Sequence, residues 1–201
     1  GYALAAAAVE QGARVVLVSG PVTLDPPAGV DFVAVGTAAE MHAAVHERIA
    51  GIDIFIAAAA VADYRPVDVH AQTLKKGADA MTIELARTDD ILASVAARPA
   101  APFSVGFAAE TDNVRDYALA KLEAKKLDMI VANRVGEDCG FDRDDNTVDV
   151  FWRGGEQAFG SMPKSELGSE LVALVAARYE QAAAADTQPE LPRLAPGKRT
   201  N

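Results

Sequence analysis

Short apolar runs alternate with helix-like segments along most of this chain. Apolar runs of strand length occupy residues 14–18, 30–35, the beginning of 52–66, 104–108 and 127–131. The segments between them have alanine-rich composition, capping residues or apolar side chains four residues apart, as helices do; they cover residues 2–11, 37–49, 91–97 and 113–126. The predicted caps are a capping box from Thr37 to Glu40, Thr88-Asp89-Asp90 and Asp112-Asn113, and residues 81–85 alternate like a strand with one exposed face. Strands that alternate with helices pair in parallel through right-handed crossovers. The pattern therefore predicts an α/β fold with a Rossmann-like, mostly parallel sheet and helices on both faces.

The pattern changes in the last third of the chain. Residues 148–152, the turn Gly154-Gly155 and a short return strand predict an antiparallel hairpin at the edge of the sheet. Residues 165–181 predict a final helix, and residues 184–201, with three prolines and mixed charge, predict a disordered tail. We therefore expect one domain over residues 1–183.

The chain begins on a helix. Helices in doubly wound folds follow a strand and a ligand-binding loop, so we expect a first strand and its loop to lie upstream of Gly1.

Polar side chains follow two of the predicted strands. Residues 52–66 pass from an apolar run through small alanines to Asp63, Tyr64 and Arg65. The second strand carries Phe107 at its end and is followed by Glu110 and Thr111. Ligands of parallel sheets bind beyond the carboxyl ends of the strands, where an aspartate accepts hydrogen bonds from a sugar or base and an aromatic ring packs on a base. A turn aspartate and a core phenylalanine are the competing interpretations.

Lysines form the second candidate cluster. Lys121 and Lys125 share one helix face, with Lys126 beside them, and Lys75 and Lys76 lie in an earlier loop. Together they could offset the charge of a triphosphate, although a solvated helix face explains the spacing as well. The net charge of -10 and the pI near 4.7 argue against binding to a nucleic-acid backbone or an anionic membrane.

Other chemistries find less support. A single cysteine, Cys139, favours a reducing, cytoplasmic setting. His42 and His46 have a zinc-compatible spacing but no further ligand cluster completes a site. Neither Gly-x-Gly-x-x-Gly nor the phosphate-binding Gly-x-x-x-x-Gly-Lys-Ser/Thr motif is present, and no apolar run has the length of a membrane span.

Taken together, the motifs resemble those of the phosphopantothenate-cysteine ligase family. In bacteria this enzyme is usually the second half of a bifunctional protein whose first half is a flavin-dependent phosphopantothenoylcysteine decarboxylase. The resemblance covers residues 1–181 and rests on Ala-Ala-Ala-Val-Ala-Asp-Tyr-Arg-Pro (58–66), Leu-Lys-Lys (74–76), Asp-Ile-Leu (90–92), Val-Gly-Phe-Ala-Ala-Glu-Thr (105–111), Lys121 with Lys125, and Val-Ala-Asn (131–133).

The resemblance implies a step of coenzyme A biosynthesis. CTP and Mg²⁺ would activate the carboxylate of 4'-phosphopantothenate as an acyl-cytidylate, and the amine of cysteine would then displace CMP. It also implies a homodimer, and FMN only where a decarboxylase half is fused upstream. By position in the family pattern, the residues that would bind CTP are Ala57, Ala58, Ala59, Asp63, Asp89, Asp90, Ile91, Leu92, Phe107, Lys121 and Lys125.

The chain departs from the family pattern at two places. The family loop reads Lys-x-Lys-Lys, and its first, catalytic lysine is Thr73 here, which leaves Lys75 and Lys76 as the candidate catalytic lysines. The family's upstream Asn-x-Ser-Ser-Gly segment would end at Gly1, so we expect the 201-residue chain alone to be impaired.

Two alternatives are an NAD(P)-dependent oxidoreductase and an inactive nucleotide-binding module. No Tyr-x-x-x-Lys pair supports the oxidoreductase, whereas Thr73 is compatible with the inactive module.

Overall fold

The computed structural model describes residues 1–69, 72, 81–110, 113–134 and 145–186. The helices in this part of the chain are α1 (Tyr2–Glu10), α2 (Ala38–Arg48), α3 (Ile91–Ala96), α4 (Val114–Ala124) and α5 (Lys164–Asp186). The strands are β1 (Val15–Ser19), β2 (Val30–Ala34), β3 (Ile54–Ala57), β4 (Tyr64–Pro66), β5 (Leu85–Arg87), β6 (Phe103–Glu110), β7 (Met129–Arg134), β8 (Asp145–Trp152) and β9 (Gly155–Pro163).

A five-stranded sheet of order β3-β6-β7-β8-β9 forms the centre of the fold. Strands β3, β6 and β7 pair in parallel, and β8 and β9 continue the sheet as an antiparallel hairpin. A second parallel pair, β1-β2, and an antiparallel pair, β4-β5, form separate two-stranded sheets. The predicted α/β fold, with its parallel strands and its edge hairpin, is confirmed.

Helices cover both faces of the central sheet. On one face, α5 packs Leu167, Leu171 and Val175 against a cluster that includes Val105 and Met129, and α1 adds Leu4. On the opposite face, α4 packs Ala118 and Leu122 against Ile130 and Ala132, with Leu92 of α3 beside them. Burial of apolar side chains in these two layers is the main source of stability.

The β1-β2 pair is joined to the rest of the fold by shared helices. Val45 of α2 and Ile49 at its C-terminal end pack with Ile91 and Val95 of α3, and this cluster contacts residues of β1 and β3. Helix α1 contacts both β1 and α5. The helices therefore connect two sheets whose described strands β1 and β3 are not hydrogen-bonded to each other.

Helix ends follow the predicted capping in two of three cases. The hydroxyl of Thr37 accepts the N–H of Glu40 and the Glu40 carboxylate accepts the N–H of Thr37, which confirms the capping box. Asp90 caps α3 through the N–H of Ala93. Asn113 precedes α4 as predicted, but it has a left-handed backbone and its side chain forms no capping hydrogen bond.

Residues 52–66 differ from the predicted single strand with a polar end. Strand β3 ends at Ala57, and Tyr64–Pro66 form β4, which pairs with β5 rather than with the central sheet. The predicted strand at 81–85 lies further along, at Leu85–Arg87. A strand pairing between distant segments leaves little trace in local alternation, which explains both errors. The final helix extends to Asp186, beyond the predicted end at Gln181.

Candidate functional site

The candidate site lies at the carboxyl ends of the parallel strands β3 and β6. Ala57, the last residue of β3, pairs with Gly106, and Phe107 follows on β6. Ala58 is half-buried and Ala59 is exposed, directly after the strand. Small side chains at this position leave backbone groups open to a ligand.

Gly106 allows α3 to approach β6 closely. A Cβ atom on this glycine would lie 2.8 Å from Cδ2 of Leu92 and 2.9 Å from Cδ1 of Leu127. The missing side chain therefore lets the start of α3 pack directly over the strand. A glycine inside a strand pattern signals such an approach, but the sequence did not identify the partner helix.

Lys121 of α4 and Lys125, the residue at the C-terminal end of this helix, reach the candidate site. Nζ of Lys125 lies 2.7 Å from Oδ2 of Asp90, and Nζ of Lys121 donates to the carbonyl oxygen of Phe107 at 3.3 Å. Lys125 and Asp90 are 28% and 47% exposed, so the ion pair remains in contact with solvent. The structure thus brings together α3, α4 and β6 through residues that the sequence had placed in separate motifs.

The carboxyl group of Asp90 is held in its charged form. Its partial burial raises its pKa, but the hydrogen bond from the Ala93 N–H and the charges of Lys125 and Lys121 outweigh burial and lower the pKa below its usual value. Asp90 therefore stays ionised and paired at neutral pH.

Asp63 belongs to a loop that is tied to the segment before α3. The N–H of Thr88 donates to the carbonyl oxygen of Asp63 at 3.0 Å, and the Thr88 hydroxyl donates to the carbonyl oxygen of Ala62. The Asp63 side chain is exposed, as is that of Asp89. The sequence predicted Thr88 only as a helix-capping residue. The structure shows that Thr88 also holds the loop that carries Asp63.

Other predicted residues contribute through the backbone or lie outside the described residues. The side chains of Ile91 and Leu92 are buried in core clusters. The ring of Phe107 packs against the cluster covered by α5, on the sheet face opposite α4, in agreement with the core interpretation of this side chain. Thr73, Lys75 and Lys76 lie outside the described residues.

No cluster of three potential metal-ligating side chains occurs within the described ranges. His46 and His42 have ring centroids 4.2 Å apart, and Nε2 of His46 lies 2.8 Å from Oγ of Ser94. These histidines therefore belong to the contact between α2 and α3. None of the helices that the structure describes has the length and apolarity to cross a membrane.

Two surface clefts lie away from these residues. One, of about 520 Å³, is lined by Tyr2, Ser19 and Phe32 near the ends of β1 and β2. The other, of about 770 Å³, lies between the start of α4 and the β8-β9 hairpin. Neither cleft is lined by a predicted site residue.

Comparison with protein families identifies one family. Residues 1–179 match the family described as the DNA/pantothenate metabolism flavoprotein C-terminal domain. Among curated proteins, the coenzyme A biosynthesis bifunctional protein CoaBC of Vibrio vulnificus strain YJ016 is 48% identical over 176 residues, which cover 86% of this chain and 44% of that protein. The protein of the same name from Escherichia coli K12 is 45% identical over 186 residues, covering 90% of this chain and 46% of that protein. The chain thus spans less than half the length of these relatives.

Solved structures agree with this result. The C-terminal domain of a coenzyme A biosynthesis bifunctional protein CoaBC superposes with a TM-score of 0.76 at 38% identity, covering 90% of this chain and 82% of that one. The DNA/pantothenate metabolism flavoprotein from Streptococcus pneumoniae, at 17% identity and a TM-score of 0.74, covers 88% of this chain and 86% of that one and shows the same fold.

Proposed function

The chain belongs to the family of DNA/pantothenate metabolism flavoprotein C-terminal domains, and we propose on that basis that it is the CTP-dependent phosphopantothenate-cysteine ligase part of a bifunctional coenzyme A biosynthesis protein. A carboxylate oxygen of 4'-phosphopantothenate attacks the α-phosphorus of CTP, and pyrophosphate leaves. The amine of cysteine then attacks the acyl carbon of the acyl-cytidylate, an amide bond forms, and CMP leaves with the carboxylate oxygen. The amine gives up its proton to solvent.

The observation that carries the proposal is the convergence of Lys121 and Lys125 on Phe107 of β6 and Asp90 at the start of α3. The protein has a net charge of -10, so an anionic nucleotide needs a local cationic surface. Two ammonium groups, one at the carbonyl oxygen of Phe107 and one at the carboxylate of Asp90, supply one. Positive charge held in advance near the α-phosphate stabilises the charge that builds up as pyrophosphate leaves.

Mg²⁺ fits this site as a partner of the nucleotide. This ion is usually held by one or two carboxylates together with substrate phosphates, and the exposed carboxylates of Asp63 and Asp89 are available for that role. Bound there, the ion would neutralise phosphate charge. Lys75 and Lys76 remain the proposed catalytic lysines, since Thr73 carries no charge to contribute.

We propose that the enzyme works in the cytoplasm as a homodimer. The β4-β5 ribbon and its flanking residues expose large apolar side chains, with Tyr64 at 51% and Leu85 at 55% in the strands and Val69 at 83% and Ile83 at 58% beside them. A two-stranded ribbon with apolar side chains in water is marginally stable by itself, so a second copy that covers this surface explains its composition. One cysteine in 201 residues suits a reducing compartment.

Calorimetric titration with CTP, ATP and NADPH in the presence of Mg²⁺ tests the function, on this chain and on an N-terminally extended version. We expect selective CTP binding, stronger in the extended protein, and about tenfold weaker binding for each of Lys121→Met and Lys125→Met, since each removes one charged hydrogen bond. Arg14→Met, a matched loss of charge at an exposed position before β1, is expected to bind normally. Binding of NADPH but not CTP would contradict the ligase assignment.

A further inference from the structure

The two site lysines are each anchored by an acceptor on another element of the fold. Lys125 donates to Asp90 and Lys121 donates to the carbonyl oxygen of Phe107. A lysine ammonium has three N–H donors. Each described contact uses one of these donors, and a phosphate oxygen can accept another.

Both carboxylate oxygens of Asp90 accept a hydrogen bond from within the protein. Oδ1 accepts the N–H of Ala93 at 3.0 Å and Oδ2 accepts Lys125 at 2.7 Å. The first bond fixes the side chain to the start of α3, and α3 is held against β6 where Leu92 packs over Gly106. Asp90 therefore connects a helix with a fixed position to the end of a long, flexible side chain.

From this geometry we propose that Asp90 is a positioning residue, which holds the ammonium of Lys125 toward the phosphates of the nucleotide and does not itself bind the nucleotide. The inference rests on the proposed function, because it assigns a role within that same site. Lys121 is positioned in a comparable way by the backbone of β6. The site would thus recognise the phosphate groups of a nucleoside triphosphate through two ammonium groups that are oriented before it binds.

The direction in which neutralising Asp90 changes nucleotide affinity distinguishes a positioning role from a purely electrostatic one. A carboxylate close to a polyphosphate repels it, so if Asp90 acted only through its charge, its neutralisation would strengthen nucleotide binding. If Asp90 positions Lys125, neutralisation releases a side chain with many rotamers and binding becomes weaker despite the favourable change in charge.

The experiment compares Asp90→Asn, Lys125→Met and the double variant by calorimetry with CTP and with cytidine, in the presence of Mg²⁺. Asparagine caps a helix as well as aspartate does, so α3 is retained. We expect Asp90→Asn to bind CTP about tenfold more weakly, as for a lost hydrogen bond to a charged group. Cytidine, which has no phosphate, should bind Asp90→Asn and the parent protein with equal affinity. In the Lys125→Met background, Asp90→Asn should cause no further loss, because Asp90 acts through Lys125.

Glu123→Gln is the matched control, since it removes one negative charge from an exposed position on α4 near Lys125. We expect it to change CTP affinity by less than about twofold, as exposed charges are screened by salt. Asp90→Ser, which also caps a helix, replaces Asp90→Asn if that variant is unstable in thermal unfolding.

Unchanged or tighter CTP binding by Asp90→Asn would overturn the inference, as would a further loss in the Lys125→Met background. If the parent protein binds CTP normally, either result contradicts only the positioning role of Asp90 and leaves the proposed function intact. Failure of the parent and extended proteins to bind CTP contradicts the proposed function as well.

Discussion

Gly106 is the residue whose small size most directly shapes the site. Leu92 and Leu127 lie within 2.9 Å of where its Cβ would be, and both are buried. We predict that Gly106→Val destabilises the protein by about 1–3 kcal/mol, because a crowded core must shift its side chains or backbone. Since α3 would move away from β6, CTP affinity should fall in the same variant. Urea unfolding and calorimetry measure the two effects.

Gly160→Val provides the control for this substitution. Gly160 lies in β9 with open space around its Cβ position, and valine suits a strand, so we expect stability to stay the same or rise. Equal unfolding midpoints for Gly106→Val and the parent protein would contradict the close packing of α3 on β6.

The contact between α2 and α3 is expected to be sensitive to acid. Burial, together with the nearby His42 and Arg98, lowers the pKa of His46. The Ser94 hydroxyl donates to the carbonyl oxygen of Ile91, so Nε2 of His46 donates to Ser94 and its Nδ1 faces Arg98 at 3.5 Å. Protonation of Nδ1 would place two cationic donors against each other.

The sign of the pH dependence follows from the lowered pKa. Below the unfolded value of 6.5 the unfolded chain takes up a proton that the folded chain resists, so stability falls as the pH drops through this range until His46 is protonated in the folded state as well. We predict a decrease in the thermal midpoint between pH 7 and pH 5 that is smaller in His46→Gln. Parallel pH profiles for the two proteins would show that His46 has no such role.

Most elements of the fold could be predicted because their signals are local. The Thr37 capping box, the apolar runs of β1, β2 and β6 and the Gly154-Gly155 turn each act within a few residues. The β4-β5 pairing was missed because it joins segments that are distant in sequence and have no core of their own. The motifs also identified Asp90 and Lys125 separately, but their ion pair depends on how α3 and α4 pack on β6, which no local pattern encodes.

At the scale of the whole molecule, the β4-β5 ribbon and its flanking residues, which include Val69 and Ile83, are expected to form the dimer interface. We predict that the double variant Val69→Lys/Ile83→Lys shifts the protein from dimer to monomer in light scattering, because it places charges in an apolar contact. Leu24→Lys, at a position that is 61% exposed near β1 and β2, is the control and should remain dimeric. A parent protein that is monomeric at micromolar concentration would contradict this assignment.

The most direct test of the whole account follows one oxygen atom through the reaction. The N-terminally extended protein is given 4'-phosphopantothenate labelled with ¹⁸O in its carboxylate, together with cysteine, CTP and Mg²⁺, and the CMP is analysed by mass spectrometry. Because the acyl-cytidylate transfers a carboxylate oxygen to the nucleotide, we predict that CMP carries one ¹⁸O and that amide product forms in equal amount. Unlabelled CMP, or the absence of both products while the protein is folded, would contradict assignment of this chain as a CTP-dependent ligase.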